Sequence, residues 1–439
     1  MNNNIKTSEQ GQAIVLIALA LVALLGFTAL AVDGSMVFAD RRAVQNAADA
    51  AALAGGAAAA LSLENDHITT ATFNCSLGAI SDATTAANNA AANRAATNNY
   101  PIDLDSDFDL ENSDHGMVEV TCGVDTSGDF EEQYLDIKTV ITTDTPTAFA
   151  QFIFNGPLRN TVEAVVRIHP RGPLAEGYAI VALNPENCSG QQNGASFHGD
   201  ATSYVLGGGV FSNGCMRGDG SPIVDADDSG IHYVGDTNGN FTYFDPQPEQ
   251  VSETIDPEDY AIDPPDCSVL PDFGGINGGG LIQPGNYDQI RVNSGNDYLE
   301  MAPGLYCVSG PITMNGGSVT GQGVTIYVTD DVTINGNVEV NLSAPAASPD
   351  PSPALAGILF YVPANIDIRM QINGNENSHF VGIIYAPGSS IDLLGNGQTD
   401  TYNTQVIGWN VQVGGNADAW IRFDENDLSL NPTRLDLHK

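Results

Sequence analysis

The residues best placed by type and spacing to do chemistry are the oxygen side chains of Asp225, Asp227, Ser229 and Asp236. They fall at positions 1, 3, 5 and 12 of a loop with Gly230 at position 6, the pattern of a calcium site. Three features depart from it. His232 stands where an apolar residue is usual, Asp236 replaces a bidentate glutamate, and glycine and proline flank the run where helices are needed. The departures favour a polar turn between strands, and calcium is the one candidate cofactor.

Other chemistry is thinly supported. Adjacent carboxylates such as Asp227–Asp228 and Asp330–Asp331 could serve glycoside hydrolysis, yet among 54 acidic residues such pairs carry little information. His198, His232 and His379 are scattered without metal-ligand spacing. No G-x-S-x-G, P-loop or H-E-x-x-H occurs. Tyr385, Tyr402, Trp409 and Trp420 are candidates for an aromatic strip that would contact sugar or protein. These residues predict no catalytic site.

Six cysteines, Cys75, Cys122, Cys188, Cys215, Cys267 and Cys307, are widely spaced and form no C-x-x-C. An even number so spaced predicts disulfides in an oxidising compartment. Pairing sequence neighbours gives 75–122, 188–215 and 267–307, one of about 15 connectivities.

Fourteen basic residues against 54 acidic ones give a net charge of −40. Nucleic acid is thereby excluded as a partner, because phosphate binding needs clustered cations. Between Pro173 and Pro432 the only cations are Arg217, Arg291, Arg369 and Arg422, too few for a polyuronate substrate.

The element that must carry such a body to an oxidising compartment lies at residues 13–32, AIVLIALALVALLGFTALAV. Twenty uncharged residues rise ~30 Å as helix, the thickness of a bilayer core. A cleavable leader is the competing reading, but its apolar run is shorter and its flank more basic. Flanking charge does not orient the span, since Lys6 precedes it and Arg41 and Arg42 follow. The cysteines and the repeats below place the C-terminal body outside. Alanine-rich residues 32–62 continue the helix, with Gly55–Gly56 as an expected weak point. Their small-residue face suits close approach of another helix.

Ala31-Val32-Asp33 and the run QNAADAAALAG from Gln45 to Gly55 resemble the N-terminal module of TadG-like (TadE/TadG-like) proteins of the Flp, or tight-adherence, pilus machinery. Residues 137–168 resemble that family's later element, a strand, a T-P-T-x-F-A turn into a short helix, and a second strand. The resemblance implies membrane anchorage, an exported body and pilus-assembly partners. Leu16 stands where type IV pilins carry a glutamate, which speaks against pilin-type processing.

Residues 63–172 mix a helical stretch, 82–99, with alternating runs, and read as a small α/β unit. From Gly177 the texture changes to short β-branched strands with Asn-Gly turns at 193, 213, 238, 277, 315, 335, 373 and 396. The steps 193→213 and 315→335 are both 20 residues, and removing the 14-residue Pro/Ala/Ser insertion at 343–356 cuts the step 335→373 from 38 to 24. Such a period predicts a solenoid; an antiparallel sandwich is the alternative, because Asn-Gly also makes hairpins.

The expected fold is therefore mixed: a transmembrane, pilin-like long helix, a small α/β unit, and a mainly-β solenoid of the right-handed parallel β-helix type. The expected domains are a cytoplasmic tail 1–12, helix 13–62, α/β unit 63–172, β-helix 173–425 and tail 426–439. The expected function is non-enzymatic, in pilus assembly or surface adhesion at the cell membrane. Its partners would be the bilayer, pilus-assembly proteins and a surface glycan or protein ligand. The alternatives are a stand-alone adhesin or stalk and a glycan-cleaving enzyme.

Overall fold

A computed structural model describes residues 10–70, 72–104, 116–149, 158–189, 193–227, 230–258, 261–346, 351–373, 375, 377–395, 402–415, 417–424, 430–431 and 433–438. The chain divides into two compact units. Unit one holds residues 1–125, 132–171 and 432–439, and unit two holds 126–131 and 172–431.

Unit one is built on α1 (Gln10–Asn65), an unbroken helix of 56 residues. Alanine and leucine favour helix, and no proline interrupts the sequence. Its first half is bare: Leu16, Val22, Leu25 and Phe27 are each more than two-thirds exposed. Its second half is packed. Val44, Ala47, Ala48, Ala51, Ala52, Ala59 and Leu63 are buried against α2 (Gly78–Thr97) and a sheet. In α2, Ile80, Ala83, Ala87, Ala91 and Ala95 form one buried stripe at helical spacing. The helix close to the small-residue face is thus α2 of the same chain.

Gly55 and Gly56 do not weaken the helix; they let it approach its neighbours. A Cβ on Gly55 would meet Ala87 O at 3.1 Å and Ala91 Cβ at 3.2 Å, and one on Gly56 would meet Val166 Cγ1 at 2.7 Å. The sheet comprises β1 (Gly116–Asp125), β2 (Glu132–Thr145), β3 (Leu158–His169) and the strand Arg434–His438, all antiparallel in that order. Leu135, Ile137 and Ile141 of β2 and Val162, Val166 and Ile168 of β3 face the helices by simple alternation. The solenoid sequence is therefore inserted between β3 and the last strand of one sheet. Arg434–His438 lies within the stretch expected to be a tail.

Unit two is a parallel β-solenoid of about ten turns, seen as a ten-stranded parallel sheet among the described residues. Every second residue points inward and stacks on its counterpart one turn away. One ladder runs Ile290–Ile312–Val332–Met370–Ile391–Val411–Ala195–Met216. A second runs Met301–Gly321–Leu342–Phe380–Tyr402–Ile421–Val205. Asparagines stack at a corner: Asn315 Nδ2 donates to Asn293 Oδ1 at 2.8 Å, and Asn335 Nδ2 donates to Asn315 Oδ1.

Both ladders pass from residue 411 or 421 to residue 195 or 205, so spatial order differs from chain order. The first turns, 178–250, stack on the last turn at 402–423, while Gly280–Ile282 stands at the opposite end. Residues 251–271 make the return. Ten rungs at roughly 4.8 Å rise about 43 Å, and about twenty extended residues reach ~65 Å. Three anchors hold this strap. Buried Asn213 exchanges two hydrogen bonds with the Ile255 backbone (2.7 and 2.9 Å), Tyr361 Oη donates to Ile262 O at 2.7 Å, and Cys267 is bonded to Cys307. Ile255 is buried beside Tyr361 and Tyr385, whose stacked rings continue the ladder outside the coil.

Candidate membrane anchor and contact face

The bare half of α1 is, among the described residues, the one helix long and apolar enough to cross a membrane, with a mean hydropathy of 2.8 and none of that window buried. Thr28 Oγ1 donates to Leu24 O at 2.8 Å, so its hydroxyl is satisfied inside the helix. Asp33 follows, and it is 4% exposed. Its carboxylate accepts the backbone N–H groups of Ala148 (2.8 Å) and Phe149 (3.0 Å). Seven residues on, Asp40 Oδ2 accepts from Thr143 Oγ1 (2.9 Å), Thr145 Oγ1 (2.6 Å) and Asn160 Nδ2 (3.3 Å). Two acids on one helix face thus latch α1 to the end of β2 and the start of β3. In the sequence, Asp33 stood out only within Ala31-Val32-Asp33, and Asp40 carried no assigned role. The available signal was their spacing of seven together with the hydroxyl-rich T-T-D-T-P-T run. The short helix expected after that run falls on residues outside the described ones.

The three disulfides form as neighbours: Cys75–Cys122 in unit one, Cys188–Cys215 and Cys267–Cys307 in unit two. The Cys188 and Cys215 sulfurs also lie within 4.8 Å of an Asp236 oxygen. Because those sulfurs are bonded to each other, they offer no thiolate to a metal.

Of the calcium-loop residues, Asp225 ends the strand Ile223–Asp225 and its Oδ1 accepts the Asp227 N–H at 3.3 Å. Asp227 has φ of 53° and is exposed. Asp236 Oδ1 accepts the Cys188 N–H at 2.6 Å. Ser229 lies outside the described residues. Asp331 Oδ1 accepts the Arg369 N–H at 2.9 Å, and Arg369 in turn reaches Asp392, so this acid is held in a corner. The histidines are placed singly. His232 Nδ1 lies 2.8 Å from Tyr178 Oη, and burial lowers its pKa, which leaves the ring neutral at neutral pH.

The four aromatic residues make no common strip. Tyr385 and Tyr402 are buried, and Tyr402 Oη donates to Ile372 O and Leu394 O at 3.1 Å. Trp420 stacks on Tyr204 with centroids 3.8 Å apart, and Trp409 is 36% exposed. Burial also raises the phenols of Tyr361 and Tyr385, which keeps them neutral.

Residues 11–60, the bare span plus the packed half of α1, match the family described as putative Flp pilus-assembly TadE/G-like. The N-terminal segment is thus similar to a Tad domain. Within it, the Asp33 latch and the Gly55–Gly56 approach tie the anchor to its own folded unit. Residues 285–426 match a domain of unknown function (DUF7305), which corresponds to the solenoid turns that end at Ala419–Arg422. The turns at 178–250, which complete the stack beyond the Tad domain and that second match, lie outside both. No curated protein and no solved structure matches the chain.

Proposed function

We propose that this protein is a membrane-anchored, non-catalytic component of Flp pilus assembly, with its disulfide-bearing body outside the cytoplasm. The observation that carries the reading is the coincidence of the Tad match with a helix whose first half is apolar and bare and whose second half is a packed scaffold. The first half would hold the bilayer and neighbouring helices, and the solenoid would present a long polar face to a pilus component or surface ligand. Three disulfides support the extracytoplasmic placement. A photo-crosslinker at Leu21, in cells assembling pili, is expected to capture pilus-assembly proteins. Capture of lipid alone, with pili unaffected by deletion of the gene, would overturn the reading.

For residues 225–236 the favoured reading is a polar turn. EDTA is then expected to leave the melting temperature unchanged, and a fall above about 5 °C would assign a calcium loop instead.

A further inference from the structure

We infer that the lipid-contacting surface extends past Asp33 to Asp40–Arg42, so that Phe38 and Phe149 sit in the interfacial layer of the bilayer. The inference rests on the anchorage reading above and adds to it where the membrane ends on the protein.

By composition the span stops at Asp33, the first charge after the apolar run. The structure removes that charge from the surface. Asp33 is 4% exposed and its carboxylate is covered by the N–H groups of Ala148 and Phe149. An acid held by such donors does not require bulk water. Ser35 Oγ donates to Val32 O at 2.7 Å and is satisfied within the helix. Asp40 is occupied by Thr143, Thr145 and Asn160. The first exposed charges after the span are therefore Arg41 and Arg42.

Apart from Ser35, the exposed side chains between Asp33 and Arg41 are apolar. Phe38 is 73% exposed, Met36 39%, and Phe149, fixed by the Asp33 latch at the level of that turn, 45%. This patch continues the bare face of α1 without a break. From residue 14 to residue 38 the helix rises ~36 Å, which matches the ~30 Å bilayer core plus one headgroup layer of about 5–7 Å. Aromatic residues favour that layer, and the two arginines above it reach phosphate level with long side chains.

The test uses the full-length protein in bilayers with or without lipids brominated near the top of the acyl chain. Four variants are compared with the parent, whose Trp409 and Trp420 supply a constant background: Leu21→Trp, Phe38→Trp, Phe149→Trp and Leu61→Trp. All four sites are exposed, so each substitution is expected to leave the fold intact, which circular dichroism checks. The expected result is added quenching for L21W, F38W and F149W, roughly two-fold or more above that for L61W. Quenching of L21W alone would overturn the inference and leave anchorage standing. A blue-shifted but unquenched F38W would do the same, by showing protein rather than lipid on that face. Absence of quenching in L21W would overturn anchorage itself.

Discussion

Asp33 is a buried acid on a helix that is otherwise bare at that level, and its two backbone donors lie more than a hundred residues away in sequence. Hydrogen bonds to a charged acceptor contribute about 1.5–3 kcal/mol each, and a buried N–H left without a partner costs about 1–3 kcal/mol. Asp33→Ala removes both bonds and is therefore expected to destabilise unit one by about 3 kcal/mol or more, a fall of roughly 6–12 °C in melting temperature in detergent. Asp33→Asn retains one acceptor oxygen and should lose about half as much. A melting curve for D33A that overlays the parent would remove the latch from the account. The residue was visible in the sequence as part of Ala31-Val32-Asp33; its partners were not, because a carboxylate's donors are set by tertiary contact and not by local pattern. The cysteines were more legible. Each pairs with its neighbour, as expected where bridges close local excursions of a chain.

At the scale of elements, the alanine-rich sequence announced the second half of α1, and its small residues announced a close neighbour. The glycine pair was misjudged on propensity alone. Gly56→Ala should gain up to about 1 kcal/mol of helix propensity but lose about 1–3 to the clash with Val166 Cγ1, so net destabilisation is expected. Gly55→Ala meets its neighbours at 3.0–3.2 Å and should cost less. Chemical denaturation of the two variants checks the order, and a G56A protein as stable as the parent would contradict the packing described. In the solenoid, β-branched runs such as 332–334 and 338–342 gave strands almost residue for residue, at Val332–Ile334 and Val338–Ser343. Arg434–His438 escaped notice because five alternating residues after a proline carry little signal until β3 supplies an edge to pair with.

At the scale of the molecule, a period of about twenty residues revealed stacking but not which turns are neighbours. Inward residues are interchangeable in chemistry from turn to turn, so nothing local distinguishes 411 stacked on 195 from 411 stacked on a later turn. The consequence is a solenoid whose first turns follow its last. Gly177 lies beside Phe423, since a Cβ there would be 3.9 Å from that ring. A permuted solenoid that begins at Val251, joins Phe423 to Gly177 and ends at Gln250 keeps every ladder pair and the strap. It is expected to fold with the same β-sheet circular dichroism spectrum and one cooperative transition. A molten or aggregated product would contradict the stacking order.

The account as a whole depends on a bilayer-held helix with an oxidised body on the far side. Intact cells, opened only at the outer surface, can be treated with a membrane-impermeant protease and a thiol-reactive polymer. The predicted result is a carbonate-resistant membrane protein whose solenoid is cut from outside and whose six cysteines are unlabelled until a reductant is added. A protease-protected body with six free thiols in the cytosolic fraction would contradict it.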